Sequence, residues 1–142
     1  MRQTLQRLIT SGLIIAMTSC ASQREVGGSD MNCPDSPNCV SSQASDSAHF
    51  IAPLTFDDQP EAAMQRLKVA LLSEKRVTIV NAQTDYLHAE VRSLIFRFVD
   101  DVEFTLVPEQ GAFQIRSSSR VGYSDFGVNR RRLERIRQLF QK

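Results

Sequence analysis

Hydrophobic positions recur at helical spacing in two segments of the chain. The first segment is 57–75, where Pro60 suits a first helical turn and Asp57 or Asp58 suits the cap. Its apolar residues are Ala63, Met64, Leu67, Ala70 and Leu71. The second segment is 129–141, with Leu133, Ile136, Leu139 and Phe140 on one side. The pattern therefore predicts two amphipathic helices.

Between these helices, apolar and polar residues alternate at the period of two that is typical of strands. Turn residues fall at 81–84 and 109–111, and Asp100-Asp101 interrupts the second alternating run. The predicted strands are 77–80, which is short and β-branched, and then 86–98, 102–106 and 113–117.

This order of helix, four strands and helix predicts an α+β domain. The four strands should form an antiparallel meander with one apolar and one polar face, and the two helices should cover the apolar face. Residues 33–142 have the size of one small domain.

The first 19 residues have the layout of an export signal, with Arg2 and Arg7 before the apolar segment 8–17. That segment is too short to span a bilayer, which requires a helix of about 20 residues. Cleavage is therefore expected rather than a permanent membrane span.

The end of this signal, Met17-Thr18-Ser19-Cys20, resembles a bacterial lipoprotein signal, in which the cysteine is acylated and becomes the new N-terminus. The alternative is ordinary secretion with cleavage near Ala21. The lipoprotein interpretation predicts a lipid on Cys20 and a polar tether over 20–32. Because Ala21 and Ser22 are not aspartate, it also predicts a lipid anchor in the outer membrane, with the domain facing the periplasm.

Removal of 1–19 changes the charge balance, because it takes away two arginines and no acids. The remaining chain has a net charge of about −1, whereas general nucleic-acid binding requires a clear basic excess. We therefore expect no nucleic-acid partner.

Cys33 and Cys39 should form a disulfide bond that closes the N-terminal loop before the first helix, because the periplasm keeps thiols oxidised. Pro34 and Pro37 stiffen the turn between them. A metal site with His49 or His88 is the alternative, but the spacing matches no zinc pattern. No metal and no other cofactor is therefore predicted.

Three stretches are distinctive together: CPDSPNCVSSQ, HAEVRSLIFRFVDDVEF and IRSSSRVGYSDFGVNRRRLERIR. They resemble an uncharacterised bacterial and plastid family, domain-of-unknown-function family number 1499, over about residues 33–140. The resemblance implies one compact domain that is often exported or membrane-associated. It implies no catalytic residues, since the family offers none.

The segment 117–127 contains serines, glycines and an arginine and directly precedes the second helix. Serine hydroxyls and backbone amides at the start of a helix are suited to bind an anion. Three cations, Arg130, Arg131 and Arg132, follow in the first turn and oppose the helix dipole. Their partners are either internal acids or an external lipid phosphate or cell-wall carboxylate. The predicted anion-binding residues are Arg116, Ser118, Arg120, Arg130 and Arg131.

A second polar feature is the row Tyr86, His88, Glu90 and Arg92, whose alternate positions place them on one face of a strand. This row is either a solvated outer face or a ligand surface on which Glu90 orients Arg116.

The sequence favours a binding or scaffolding module of the cell envelope over an enzyme. A hydrolase acting on lipid or cell-wall material is the first alternative, with a triad of Ser118, His88 and Glu90. It rests on residue types alone, and no catalytic residue is assigned. A structural subunit of an envelope complex is the second alternative.

Overall fold

Six strands and two α-helices make up the part of the chain that the computed structural model describes, residues 30–142. A short 3₁₀ turn, Pro108–Gln110, precedes the last strand. The elements in chain order are β1 Cys39–Ser41, β2 Leu54–Thr55, α1 Pro60–Ser73, β3 Val77–Ala82, β4 Tyr86–Arg92, β5 Val99–Val107, β6 Ala112–Ser119 and α2 Val128–Phe140.

The sheet is antiparallel and has the order β1-β6-β5-β4-β3, with β2 also paired to β6. The predicted α+β class and the meander are confirmed, but the predicted count of four strands was wrong. β1 and β2 were missed because three and two residues are too few to show a period. Their pairing depends on β6, which places Cys39 opposite Ser118 and Leu54 opposite Phe113.

The boundary between β4 and β5 also differs from the prediction. β4 ends at Arg92, residues 93–98 form a loop, and β5 begins at Val99, so Asp100 and Asp101 lie inside a strand rather than between strands. Two carboxylates are tolerated there because Arg132 pairs with Asp100 and Arg120 pairs with Asp101.

The two predicted helices are present, but α1 is not capped as expected. Pro60 occupies the first turn, whereas the cap residue is Gln59, which makes no side-chain cap hydrogen bond. Asp58 instead accepts a hydrogen bond from Arg66 at 2.9 Å. α2 follows Gly127, a glycine in the left-handed region with φ 77°.

Both helices pack on one face of the sheet around a continuous hydrophobic core. The phenyl rings of Phe113 and Phe140 meet edge to face with centroids 6.0 Å apart, which joins β6 to α2. Burying one such side chain stabilises the fold by about 1.5–3 kcal/mol. The largest fully buried apolar residues are Leu54, Leu67, Leu71, Leu87, Val102, Phe104, Phe113, Ile115, Leu133, Ile136 and Phe140.

At the N-terminal end, the predicted Cys33–Cys39 disulfide is confirmed, with Cα atoms 5.6 Å apart. The predicted signal 1–19, the lipidation site Cys20 and residues 20–29 of the tether lie outside the described residues. Packing begins at Met31, which is buried and whose carbonyl accepts a hydrogen bond from the Ser41 hydroxyl. Within 30–142, no helix combines the length and apolar character needed to cross a membrane.

Candidate functional site

The sheet face opposite the helices carries the predicted polar row. Along β4, Leu87, Ala89 and Val91 are buried against the core, so Tyr86, His88, Glu90 and Arg92 share the other face. We call this face, with its neighbours from β5 and β6, the outer face.

Asp101 is the centre of a charged network on the outer face. Its carboxylate lies 2.7 Å from His88 Nε2 and accepts hydrogen bonds from Arg120 at 2.7 and 2.8 Å. Arg120 also donates to Glu90 at 2.6 Å, and Arg92 donates to the other oxygen of Glu90 at 2.9 Å. Burial raises the pKa of Asp101, but the hydrogen bonds from Arg120 and His88 outweigh it and hold this pKa below 3.8. The Asp101 and Glu90 carboxylates raise the pKa of Arg120.

A second cluster on the outer face surrounds Glu103. Tyr86 donates to this carboxylate at 2.6 Å and Arg116 donates to it at 2.7 Å. The predicted contact between Glu90 and Arg116 is therefore not formed, because the register places Glu103 directly opposite Arg116. Arg116 also donates to the carbonyl of Asn32 at 3.1 Å, which holds the N-terminal segment on this face.

The amides and arginine side chains at the start of α2 have hydrogen-bond partners within the chain. The Asp125 carboxylate accepts hydrogen bonds from the amides of Gly127 and Asn129 at 2.9 and 2.7 Å, as a capping side chain does. Arg130 donates to the carbonyls of Phe50 and Ala48 at 2.7 and 2.8 Å, and Arg131 donates to the carbonyl of Phe126 at 2.9 Å.

The five predicted anion-binding residues thus form two separate groups. Arg116, Ser118 and Arg120 lie on the outer face, whereas Arg130 and Arg131 lie at the helix start. Between residues 30 and 142, no hydrogen bond joins Ser118 to His88, whose Nε2 is held by Asp101. The register places Ser118 and His88 on β6 and β4, the two strands that flank β5.

A buried polar cluster connects α2 to the sheet, and the sequence reasoning missed it. Arg132 donates to Asp100 at 2.5 Å and to the Asn129 side-chain oxygen at 2.6 Å. Ser117 donates to that same oxygen at 2.5 Å, and the Asn129 amide donates to the carbonyl of Asn38 at 3.0 Å. The only signal in the sequence was an arginine one helical turn after an asparagine, which exposed helix faces also show.

Next to this cluster is a cleft of ≈ 480 Å³ between the end of α1, the connection from α1 to β3, the end of β4 and the first turns of α2. We call it the basic cleft, because it is lined by five cations and two acids: Lys75, Arg76, Arg92, Arg132, Arg135, Glu74 and Asp100. Both acids already have partners, since Glu74 pairs with Arg135 and Asp100 pairs with Arg132. Arg92 in turn pairs with Glu90 of the outer face. The cleft therefore keeps an excess of positive charge from Lys75 and Arg76, which pair with no acid in residues 30–142.

Comparison with known proteins gives one match. A family model described as "Protein of unknown function (DUF1499)" matches residues 31–140, a range that contains every strand and both helices. Among the curated proteins and the solved structures, no match is found.

Proposed function

The chain belongs to the DUF1499 family of proteins of unknown function, as its sequence resemblance predicted, and we propose that it is an anion-binding module of the cell envelope. In this proposal, Cys20 carries the lipid that anchors the protein to the outer membrane. The domain binds phosphate or carboxylate groups of envelope lipids or cell-wall material in the basic cleft.

The observation that carries the proposal is the unbalanced charge of the basic cleft. Cations that share a cleft repel each other, and a bound anion relieves that repulsion. Arginine offers paired donors that match phosphate and carboxylate oxygens. Arg76 supplies such a guanidinium beside the Lys75 ammonium in the connection between α1 and β3.

Backbone conformation at the cleft also supports this role. Arg76 has φ 61°, in the left-handed region that side chains other than glycine rarely adopt. Such a conformation costs about 1–2 kcal/mol. Its Nε atom donates to the carbonyl of Arg92 at 3.0 Å, which fixes the guanidinium at the wall of the cleft. Strain of this kind is concentrated at functional sites.

The basic cleft is a different place from the one that the sequence predicted. We favour it because Lys75 and Arg76 lie together in a concave site and pair with no acid in residues 30–142. Arg116 and Arg120 are instead paired with acids, and Arg130 and Arg131 donate to backbone carbonyls outside this cleft. Anion binding by Arg116, Ser118, Arg120, Arg130 and Arg131 stays a prediction, as do the hydrolase and the structural-subunit roles.

The test is calorimetric titration of the full chain with inorganic phosphate and, separately, with N-acetylmuramic acid as a carboxylate probe. Lys75→Gln combined with Arg76→Gln should weaken binding of the preferred probe at least about ten-fold, because one charge-assisted hydrogen bond contributes roughly 1.5–3 kcal/mol. Arg132 is left unchanged because it belongs to the buried cluster.

The matched control, Lys68→Gln with Lys142→Gln, removes the same charge outside the basic cleft. Affinity should stay close to that of the unchanged protein. Equal losses in the two double variants would indicate general electrostatic attraction instead of a site. Absence of binding by the unchanged protein for both probes would end the proposal.

Anchoring is tested separately by mass spectrometry of the intact protein from cell envelopes. The proposal expects a chain that begins at an acylated Cys20. A chain that retains residues 1–19, or one processed near Ala21 without lipid, would contradict it.

A further inference from the structure

Two neighbouring loops present apolar side chains to solvent at one end of the sheet. They are residues 93–98, between β4 and β5, and residues 120–127, between β6 and α2, and we call them the apolar loop pair. Ile95 is 78% exposed and Phe126 is 86% exposed. The other exposed apolar residues of the pair are Leu94, Phe96, Phe98, Val121 and Tyr123.

The two loops form one surface, because β5 begins beside the end of β6, with Asp100 opposite Ser119. Phe96 and Phe98 stack with ring centroids 5.5 Å apart. Together with Phe126 on the other loop, they line an apolar cleft of ≈ 320 Å³. Soluble monomers seldom expose contiguous apolar surface of this kind unless it binds something.

The tip of the first loop is held away from the core by hydrogen bonds across its base. The Ser93 amide donates to the carbonyl of Phe98 at 2.8 Å, and the Phe98 amide donates to the Ser93 hydroxyl at 2.9 Å. Residues 94–97 are therefore displayed by a closed loop and do not belong to a frayed strand end.

The charges around this surface indicate an anionic occupant. Arg97 lies between the exposed phenylalanines, and the apolar cleft shares Ser93, Asp100 and Val128 with the basic cleft. The acids at the apolar cleft are engaged within the chain, Asp100 by Arg132 and Asp125 by the first amides of α2. Apolar side chains next to cations are complementary to acyl chains beneath anionic headgroups.

The position of the anchor is compatible with a membrane occupant. Cys20 and Asp30 are ten residues apart in the sequence, a span of at most about 35 Å. Tyr123, exposed on the second loop, is of a residue type enriched where a protein surface meets lipid headgroups.

We propose that the apolar loop pair inserts into the interface of an anionic bilayer, so that the domain lies against the membrane with the basic cleft facing lipid phosphates. The choice of lipid as the source of the anion rests on the proposed function. Insertion of the loops has its own readout.

The chain contains no tryptophan, so Phe96→Trp introduces a single tryptophan, whose emission reports on the first loop. The full chain is reconstituted in vesicles of phosphatidylethanolamine and phosphatidylglycerol, with and without brominated acyl chains. Leu72→Trp is the matched control, because Leu72 is 63% exposed on α1 and Phe96 is 72% exposed. Ile95→Trp serves as a second probe if Phe96→Trp does not give the circular dichroism spectrum of the unchanged protein.

Insertion predicts emission at shorter wavelength for the loop probe and quenching at least about two-fold stronger than for the Leu72→Trp control. Equal quenching of loop probe and control, or an unshifted loop probe, would overturn the proposal. If the emission wavelength of the loop probe changes with protein concentration in the absence of vesicles, the surface binds a second copy of the chain instead. If the loop probe is quenched as strongly in phosphatidylcholine vesicles as in the anionic vesicles, the choice of an anionic bilayer is wrong.

The two proposals fail in different ways. When Phe96→Trp is combined with Lys75→Gln and Arg76→Gln, persistent quenching with lost phosphate affinity supports insertion and the cleft together. A cleft variant with unchanged phosphate affinity, alongside a quenched loop probe, contradicts the proposed function and leaves insertion standing.

Discussion

Arg132 of α2 donates a hydrogen bond to Asp100 of β5 across 2.5 Å, and both residues are less than a tenth exposed. The pair joins the first turns of the last helix to the start of a central strand. Asn129 and Ser117 extend it, since the Arg132 guanidinium also donates to both of their side-chain oxygens. This polar cluster therefore fixes where α2 sits on the sheet and, with it, one wall of the basic cleft.

Arg132→Met should destabilise the fold by about 3–5 kcal/mol, because removing one partner of a buried pair leaves an uncompensated charge. Urea unfolding followed by circular dichroism measures this change. The control is Arg135→Met, whose side chain is exposed and whose pair with Glu74 is expected to contribute only about 0–1 kcal/mol. A similar loss in both variants would mean that Asp100 is hydrated rather than buried.

Alanine substitutions at Gly111 and Gly122 distinguish the cost of backbone strain from the cost of steric contact. Both have positive φ, 56° and 88°, but a Cβ on Gly111 would lie 2.9 Å from the carbonyl oxygen of Phe56, whereas one on Gly122 would meet nothing within 4 Å. Gly122→Ala should therefore cost about 1–2 kcal/mol of unfolding free energy from strain alone.

Gly111→Ala should cost at least about 1 kcal/mol more, because Phe56 must move and its amide then loses the 2.8 Å hydrogen bond to the carbonyl of Gly111. Thermal denaturation of the two alanine variants measures the difference. Equal stabilities would show that the turn relaxes without cost.

Replacing Cys33 and Cys39 by serine should lower the unfolding free energy by about 2 kcal/mol, the chain-entropy value for so short a loop. Chemical denaturation of the double variant measures the loss, and the unchanged protein under reducing conditions should show the same loss. The Ser36→Ala variant is the control, because it alters the same loop and keeps the disulfide. If the reducing agent destabilises the unchanged protein but the double serine variant is as stable as the unchanged protein without it, the disulfide does not account for the loss.

The helices and the strands β4, β5 and β6 could be predicted from the sequence because each shows a period, whereas β3 was predicted from its β-branched residues. The spacing of Leu67, Ala70 and Leu71 follows from burial of one side of α1, and the alternation of Leu87, Ala89 and Val91 follows from burial of one face of β4. Strands as short as β2, with two residues, carry no period. They exist only because β6 offers them free backbone groups.

The candidate site could not be predicted, because it depends on which charged residues meet across different elements. The spacing of Lys75, Arg76, Arg92 and Arg135 along the chain gives no indication that they line one cleft. Asp100 and Asp101 predicted a break between two strands, because aspartate is uncommon in strands. The structure instead has both residues inside β5. Only their partners on α2 and after β6 make β5 continuous through them.

His49 and Asp46 form a hydrogen-bonded pair that raises the pKa of the histidine. The His49 Nδ1 atom lies 2.9 Å from both carboxylate oxygens of Asp46, and its Nε2 atom lies 3.2 Å from the carbonyl of Ser36. The hydrogen bond with Asp46 raises the pKa of His49 above 6.5, and the same bond lowers the pKa of Asp46 below 3.8.

The stabilisation from this pair should therefore be complete between about pH 4 and pH 6.5. Above that window it is lost as pH rises through the folded-state pKa of His49, and below it as pH falls through that of Asp46. NMR titration of the His49 imidazole should give a pKa above 6.5 that moves down towards 6.5 in Asp46→Asn. Asp58→Asn, which removes a carboxylate paired with Arg66 instead, should leave the His49 titration where it was. A pKa that does not respond to Asp46→Asn would assign the raised value to the Ser36 carbonyl.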